Sequence, residues 1–417
     1  MFTTAIMLAS SLIAGVLPSA PLPLKVDGIK VENSAGRIVY LHGVDICSME
    51  WSAQGDHVLQ SIDEATTQWH ANIIRLPLCQ DRWFGKTDDS AGPNTDAYRQ
   101  LVDQAVDEAA KHGAYIILDL HWSDMGQWGQ YPTQHVLPDD NSVQFWQAVA
   151  TRYANRPSVL FDLYNEPIAG PWDLWKNGGT VTETFDGKQY SYHSPGMQGC
   201  LDAIRQAGAK NVVIVGGTGY SSQLDMPDSD LLDNRGGNGI IYVNHFYPGW
   251  ETVDSWEKRM DIARRRFPII VSEFGPGQPY GSPAHQVSRI LQYLREHDMN
   301  WTAWCMHPQA GPCLIKDWTY APTPDFGALV KDALAGEDVP IQPRLTTSPD
   351  VTIYDGGFGG SWSSWSSATV DAPARSRVRP SVGLSSSRSS IPTCGWRSGR
   401  SEPAAPVSLL DRAGRGG

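Results

Sequence analysis

Two glutamates in this chain each close a strongly apolar run: Glu166 in the stretch LYNEP and Glu273 in VSEFG. Two carboxyl groups about 5 Å apart can share the work of cutting a glycosidic bond with retention, one protonating the leaving oxygen while the other attacks the anomeric carbon. They must then hold different protonation states at the same pH. Other polar and aromatic residues stand at the ends of similar runs: Arg75 in IIRLP, His121 in DLHW, Asn165 directly before Glu166, His245 and Tyr247 in HFYP, and Trp304 in WTAWCM. Taken singly, each has a bland reading. A strand-end glutamate can be a solvated carboxylate or a helix cap, Arg75 a buried ion pair, either histidine a satisfied core residue, and Trp304 plain packing. Their recurrence at equivalent places in successive runs is what marks a site.

Those runs number eight: IVYLHGVDI, NIIRLPL, AYIILDLHW, VLFDLYNEP, NVVIVGG, IIYVNHFYP, PIIVSEFG and NWTAWCM. Near-continuous apolar stretches rich in Ile and Val suit parallel strands buried on both faces. Amphipathic segments of helix length lie between them. In the one predicted from Thr95 to Gly113, Tyr98, Leu101, Val102, Ala105, Val106 and Ala109 share a face. Further helices are expected over SVQFWQAVATRYANR, Pro195 to Gly208, DSWEKRMDIARRRF and SPAHQVSRILQYLREH. Eight strand-helix units from about residue 38 to 336 predict an α/β fold of (β/α)8 TIM-barrel type. A doubly wound open sheet is the alternative, but HGVDICSMEW offers no glycine-rich phosphate loop after the first strand. In a barrel the active site sits at the C-terminal ends of the strands, and strands four and seven face each other across the mouth. Glu166 and Glu273 would then reach one cleft.

With these motifs in order, the chain resembles the family 5 glycoside hydrolases, whose acid/base stands in an N-E-P motif and whose nucleophile stands in an E-F-G motif. The resemblance covers roughly residues 38 to 335. It implies that Glu166 is the proton donor and Glu273 the nucleophile. Asn165 would hydrogen-bond the sugar 2-hydroxyl, and Arg75 would favour the charged form of Glu273. Tyr247 would donate to and orient the same carboxylate. His245 would lie near Glu166 and help its proton cycling, His121 would bind substrate hydroxyls, and Trp304 would form the floor under the distorted sugar. The implied activity is that of a retaining endo-β-1,4-glucanase; a mannanase or another β-glucan hydrolase is the alternative, followed by a non-catalytic carbohydrate-binding barrel. A serine esterase is disfavoured because no G-x-S-x-G elbow occurs.

Composition is in keeping with this. A formal charge of −12 argues against nucleic-acid and anionic-membrane partners and leaves neutral or weakly charged substrates open; the resemblance implies a polysaccharide as the partner of a monomer. Sixteen tryptophans and fifteen tyrosines would furnish stacking platforms for sugar rings. Loop residues Trp51, Trp83, Trp122, Trp128, Trp172, Trp250 and Trp318 are the candidates for an open, multi-subsite cleft. None of the six cysteines forms a zinc-type spacing, so no structural metal is expected, and the implied two-carboxylate mechanism requires neither metal nor cofactor. Residues 1–20 read as a signal peptide, an apolar stretch followed by small residues, and predict a secreted protein with a catalytic domain over 21–340. In an oxidising compartment Cys47 would pair with Cys79 and Cys305 with Cys313, unless all remain buried thiols. Residues 341–371 read as a linker entering a β-rich module, and 372–417 as a disordered or aberrant tail rich in Arg, Ser and Pro.

Overall fold

The computed structural model describes residues 20–343 apart from 87–94, 124–133, 169, 186, 250 and 278–281. The expected signal peptide, most of the linker and the tail, including Cys394, therefore lie outside the described residues. An antiparallel hairpin comes first, β1 (Leu24–Asp27) with β2 (Lys30–Asn33). The first four apolar runs then supply β3 (His42–Asp45), β4 (Ile73–Cys79), β5 (Tyr115–Trp122) and β6 (Val159–Asp162). A second hairpin follows, β7 (Gly179–Phe185) with β8 (Lys188–Ser194). The last four runs supply β9 (Val213–Gly216), β10 (Ile240–Phe246), β11 (Ile269–Phe274) and β12 (Asn300–Ala303). The eight strands from the runs form one closed parallel barrel in chain order, and β12 returns to pair with β3, Ala303 opposite Val44. This is the expected (β/α)8 barrel.

The connecting helices are α1 (Val58–Thr67), α2 (Gln80–Phe84), α3 (Thr95–Lys111), α4 (Asp140–Tyr153), α5 (Trp172–Asn177), α6 (Gly196–Gln206), α7 (Val253–Ala263), α8 (Pro283–Glu296) and α9 (Gly327–Leu334). Their starts follow local chemistry. Asp139 and Ser142 form a reciprocal capping box on α4, and Ser282 caps α8 with Pro283 in its first turn. On α3 the residues Tyr98, Val102, Ala105, Val106 and Ala109 are buried as the periodicity predicts, with Leu101 at the margin. Among the described residues no helix is long and apolar enough to cross a membrane.

Two apolar cores result from the period-2 alternation of the strands. Outward-facing residues such as Ile74, Leu76, Ile116 and Leu118 pack against the helices. Inward-facing Ile73, Ile117, Leu160, Ile214, Ile241, Val243 and Ile270 fill the barrel, with Leu24 and Val31 of the first hairpin packed into the same cluster. Gly43 is required on β3, because a Cβ there would sit 1.7 Å from the Ile73 carbonyl oxygen.

The expected cysteine pairs are not those the fold brings together. Cys79 follows a register shift at the end of β4 and lies beside Tyr98 and Asp81, on the helix side of the strand. Cys47 instead contacts Cys305, Sγ to Sγ 3.0 Å, and all five described cysteines are free thiols. The adjacency of β3 to β12 decides this.

Candidate active site

Above the apolar filling of the barrel, one step of two residues along each of four neighbouring strands replaces hydrocarbon with charge. Gly43 gives way to Asp45 on β3, Ile73 to Arg75 on β4, Ile117 to Asp119 on β5 and Leu160 to Asp162 on β6. Arg75 is fully buried at the centre of this layer. Its Nε donates to Asp162 (3.1 Å), Nη1 to Glu273 (2.6 Å) and Asp45 (3.3 Å), and Nη2 to Asn165 (2.9 Å), while Asp119 forms an ion pair with Nη2 at 3.0 Å without the alignment of a hydrogen bond. Four of the five N–H donors of the guanidinium are thus engaged in hydrogen bonds.

Four carboxyls cannot all be ionised around one cation in so dry a place. Burial chiefly pushes the Asp45 and Asp162 carboxyls well above their usual range, against the pull of Arg75, and pushes Asp119 up to about 7. One oxygen of each (Asp45 Oδ2, Asp119 Oδ1, Asp162 Oδ1) has no hydrogen-bond partner among the described residues.

Glu166 and Glu273 stand on top of this layer, 6% and 5% exposed, with one oxygen of each within 4.8 Å of the other. Glu273 Oε1 accepts from Arg75 and Oε2 accepts from the Tyr247 hydroxyl at 2.9 Å. Glu166 Oε1 is 2.9 Å from His245 Nδ1, whose other ring nitrogen meets Ser272 Oγ at 3.0 Å. Burial first, and the neighbouring Glu273 second, push the Glu166 carboxyl well above the usual range. Burial, with Arg75 and His121, holds the His245 imidazole well below its usual value and so keeps it neutral. A protonated carboxyl thus faces a neutral ring.

Local backbone features aim these groups. A register shift between Asn244 and His245 brings His245 opposite Glu273 on the next strand. Glu166 itself has φ 45°, a left-handed conformation that costs a non-glycine residue roughly 1–3 kcal/mol. Gln134 helps hold that turn, its Nε2 donating to the carbonyl oxygens of Asn165 and Glu166. His121 donates or accepts at Asp119 (2.7 Å), approaches Asn165 (3.4 Å) and stacks on Trp304 with 5.3 Å between ring centres. Burial pushes the His121 imidazole down to about 3. Trp304 is half-buried, so part of its surface is open to solvent. All eight residues singled out in the sequence therefore lie in one connected cluster.

Glu166, His245 and Glu273 are also close enough for their oxygen and nitrogen atoms to converge on a cation. Their donors are already engaged, however: both Glu273 oxygens are taken by Arg75 and Tyr247, and a metal would have to displace a guanidinium. The cluster suits proton transfer better than ligation.

The sequence reading missed Asp45, Asp119 and Asp162. Their signal was an acidic residue embedded in the first, third and fourth apolar runs, in GVDI, LDL and FDL. Gln134 and Ser272 carried no comparable mark. Of the candidate platforms, Trp83 is core, packed edge-on against Phe145 at 5.7 Å. Trp51, Trp122, Trp172 and Trp318 are half-buried, whereas Trp128 and Trp250 lie outside the described residues.

Comparison with known proteins is consistent with this geometry. The family described as Cellulase (glycosyl hydrolase family 5) matches residues 32–310. Endoglucanase E-5 of Thermobifida fusca is 26% identical over 290 residues, 67% of this chain and 55% of that protein. Endoglucanase MaCel5A of a Microbulbifer species is 25% identical over 329 residues, 75% of this chain and 58% of that one. The chain thus spans a little over half the length of these two relatives. Among solved structures, the β-glucanase SdGluc5_26A of Saccharophagus degradans superposes with a TM-score of 0.59 at 23% identity, covering 79% of this chain and 98% of its own. The catalytic domain of Thermobifida fusca endoglucanase Cel5A gives 0.56 at 22% identity, covering 75% and 97%. At these identities the two structures speak to the fold alone.

Proposed function

The chain belongs to the cellulase family, glycosyl hydrolase family 5, and from that premise we propose that it hydrolyses β-1,4-glucan internally, by double displacement with retention at the anomeric carbon. The observation that carries this reading is the approach of Glu166 and Glu273 to within 4.8 Å at the mouth of the barrel. Retaining enzymes hold their two carboxyl groups about 5–5.5 Å apart, whereas inverting ones need roughly 6.5–9.5 Å to admit a water.

In the first step Glu273 attacks the anomeric carbon while Glu166 delivers its proton to the departing oxygen. The contacts at Glu273 Oε1 and Oε2 fix the plane of the attacking carboxylate. Once Glu273 is esterified its charge is gone, and one of the two main causes that hold the proton on Glu166 disappears with it. Glu166 then becomes acidic enough to act as base, taking a proton from the water that releases the sugar. Neutral His245 sits where it can follow that change by hydrogen bonding without carrying a charge itself. In this reading Asn165, held by Arg75 and directly before Glu166 in the chain, binds a sugar hydroxyl, and Trp304 offers a ring face.

The half-buried Trp51, Trp122, Trp172 and Trp318 favour an extended groove and hence internal cleavage, and the endoglucanase names of the relatives favour glucan. The same reading places the enzyme outside the cell, on the apolar character of residues 1–20. Reducing-sugar release and viscosity measured together on carboxymethylcellulose, lichenan, mannan and xyloglucan test the substrate. A rapid viscosity drop on the glucans with little reducing sugar is expected; preferential attack on mannan would overturn the glucan assignment. Proton NMR of the first product tests the stereochemistry, and an α-anomer appearing first would remove double displacement.

A further inference from the structure

Cys47 lies two residues beyond β3 and Cys305 directly follows Trp304, so each belongs to a segment that leads from the barrel into the site. The two segments are held side by side beyond the last strand pair, since the Met306 amide donates to the Asp45 carbonyl at 2.9 Å. Both thiols are buried, at 1% and 0% exposure, with their sulfurs 3.0 Å apart. Unbonded heavy atoms rest at roughly 3.5–4 Å. A disulfide needs about 2.05 Å, so closure requires a further movement of about 1 Å. Among the described residues this is the one thiol pair in contact; Cys79 and Cys200 are buried without a sulfur neighbour.

We propose that Cys47 and Cys305 form a disulfide that fastens the first barrel strand to the segment bearing Trp304, with a low-molecular-weight or protein disulfide as the oxidant. The Cys47 thiolate attacks one sulfur of the donor, releasing one donor thiol and leaving a mixed disulfide. The Cys305 thiolate then attacks the Cys47 sulfur, and the second donor thiol departs. Two electrons and the two cysteine protons pass to the donor, which ends as two thiols.

The exchange belongs to the folding chain. In the finished barrel, burial pushes the Cys47 thiol far up and raises that of Cys305, leaving too little thiolate for attack. The same burial shields the bond from reductants once it has closed. The link joins residues 258 apart and so constrains the unfolded chain over most of the barrel. This inference does not depend on the sugar the enzyme takes.

The test is cell-free synthesis of the full chain with oxidised glutathione in one sample and dithiothreitol in the other. Each is alkylated under denaturing, non-reducing conditions, digested and mapped by mass spectrometry. In the oxidised sample the Cys47 and Cys305 peptides are expected to appear joined, while Cys79 and Cys200 are alkylated. Thermal unfolding should occur on the order of 10 °C higher than in the reduced sample. That difference should vanish in Cys47→Ser, with Cys200→Ser as a control that retains it. Alkylation of both thiols in the oxidised wild type, or linkage of either to Cys79 or Cys313, overturns the proposal, and the mass map decides this even if a serine variant fails to fold.

Discussion

Replacing Arg75 with lysine keeps the positive charge and removes the geometry, which makes it the sharpest probe of the buried layer. The guanidinium donates one N–H to each of four acceptors, on Asp45, Asp162, Asn165 and Glu273, and forms an ion pair with Asp119. An ammonium has three donors, so at least one of the four acceptors loses its partner where water cannot replace it. Hydrogen bonds to charged groups contribute about 1.5–3 kcal/mol each, which sets the least loss at roughly 1.5–3 kcal/mol. Part of this should appear as stability, with thermal unfolding lowered by about 2–5 °C. The remainder should appear in turnover, because Glu273 and Asn165 both depend on this one side chain for their aim. A misplacement of about 1 Å costs on the order of a hundredfold. Differential scanning calorimetry and kcat/KM on an aryl cellobioside report the two parts. An Arg75→Lys enzyme within threefold of wild-type kcat/KM and unfolding at the same temperature would refute the idea that this residue is the common counter-charge.

Three further outcomes follow from the same geometry. Glu166→Gln should lose about 10²–10⁴-fold in kcat/KM on substrates with poor leaving groups but far less on activated aryl glycosides; equal losses on both would sink the proton-donor role. Glu50 is fully buried and its carboxyl is pushed, mainly by burial, from 4.5 up to about 8. A raised acid contributes stability that is whole below its unfolded value and is lost as pH climbs to its folded one. Between pH 5 and 8 the unfolding free energy should therefore fall by up to roughly 4 kcal/mol, and Glu50→Gln should flatten that slope and be the more stable protein at pH 8. Parallel pH profiles for the two proteins, measured by urea unfolding, would contradict this. Gly43→Ala should lower the urea midpoint sharply or prevent folding, since its methyl would fall on the Ile73 carbonyl oxygen at 1.7 Å; an unchanged midpoint would mean that β3 and β4 can separate freely.

The barrel was legible in the sequence because strands buried on both faces leave long apolar runs, and each of the eight became a strand within a few residues of the expected place. The candidate residues were legible as one cluster because they crowd the ends of those runs. Less could be read where one residue type serves two settings. Trp83 looks like a loop platform in sequence but is buried against Phe145. Asp45, Asp119 and Asp162 are single acids inside apolar text, and only the closed ring shows that they converge on one arginine. The β7–β8 hairpin escaped notice although its sequence carries an Asp186-Gly187 turn signal between alternating residues. The cysteine partners depended on which strands are neighbours, and β3 has two.

Closure of the ring by β12 on β3 has a consequence for how the protein comes into being. The last stave reaches the first only after about 260 intervening residues have left the ribosome, so the pairing of Trp301 with His42 is among the last long-range contacts that a nascent chain can make. Until then Arg75 and Glu273 have no fixed relation, and a polypeptide halted before residue 300 carries both glutamates without a finished cleft. Catalytic competence should therefore arrive in one step late in translation, and fragments ending before that stave should be inert.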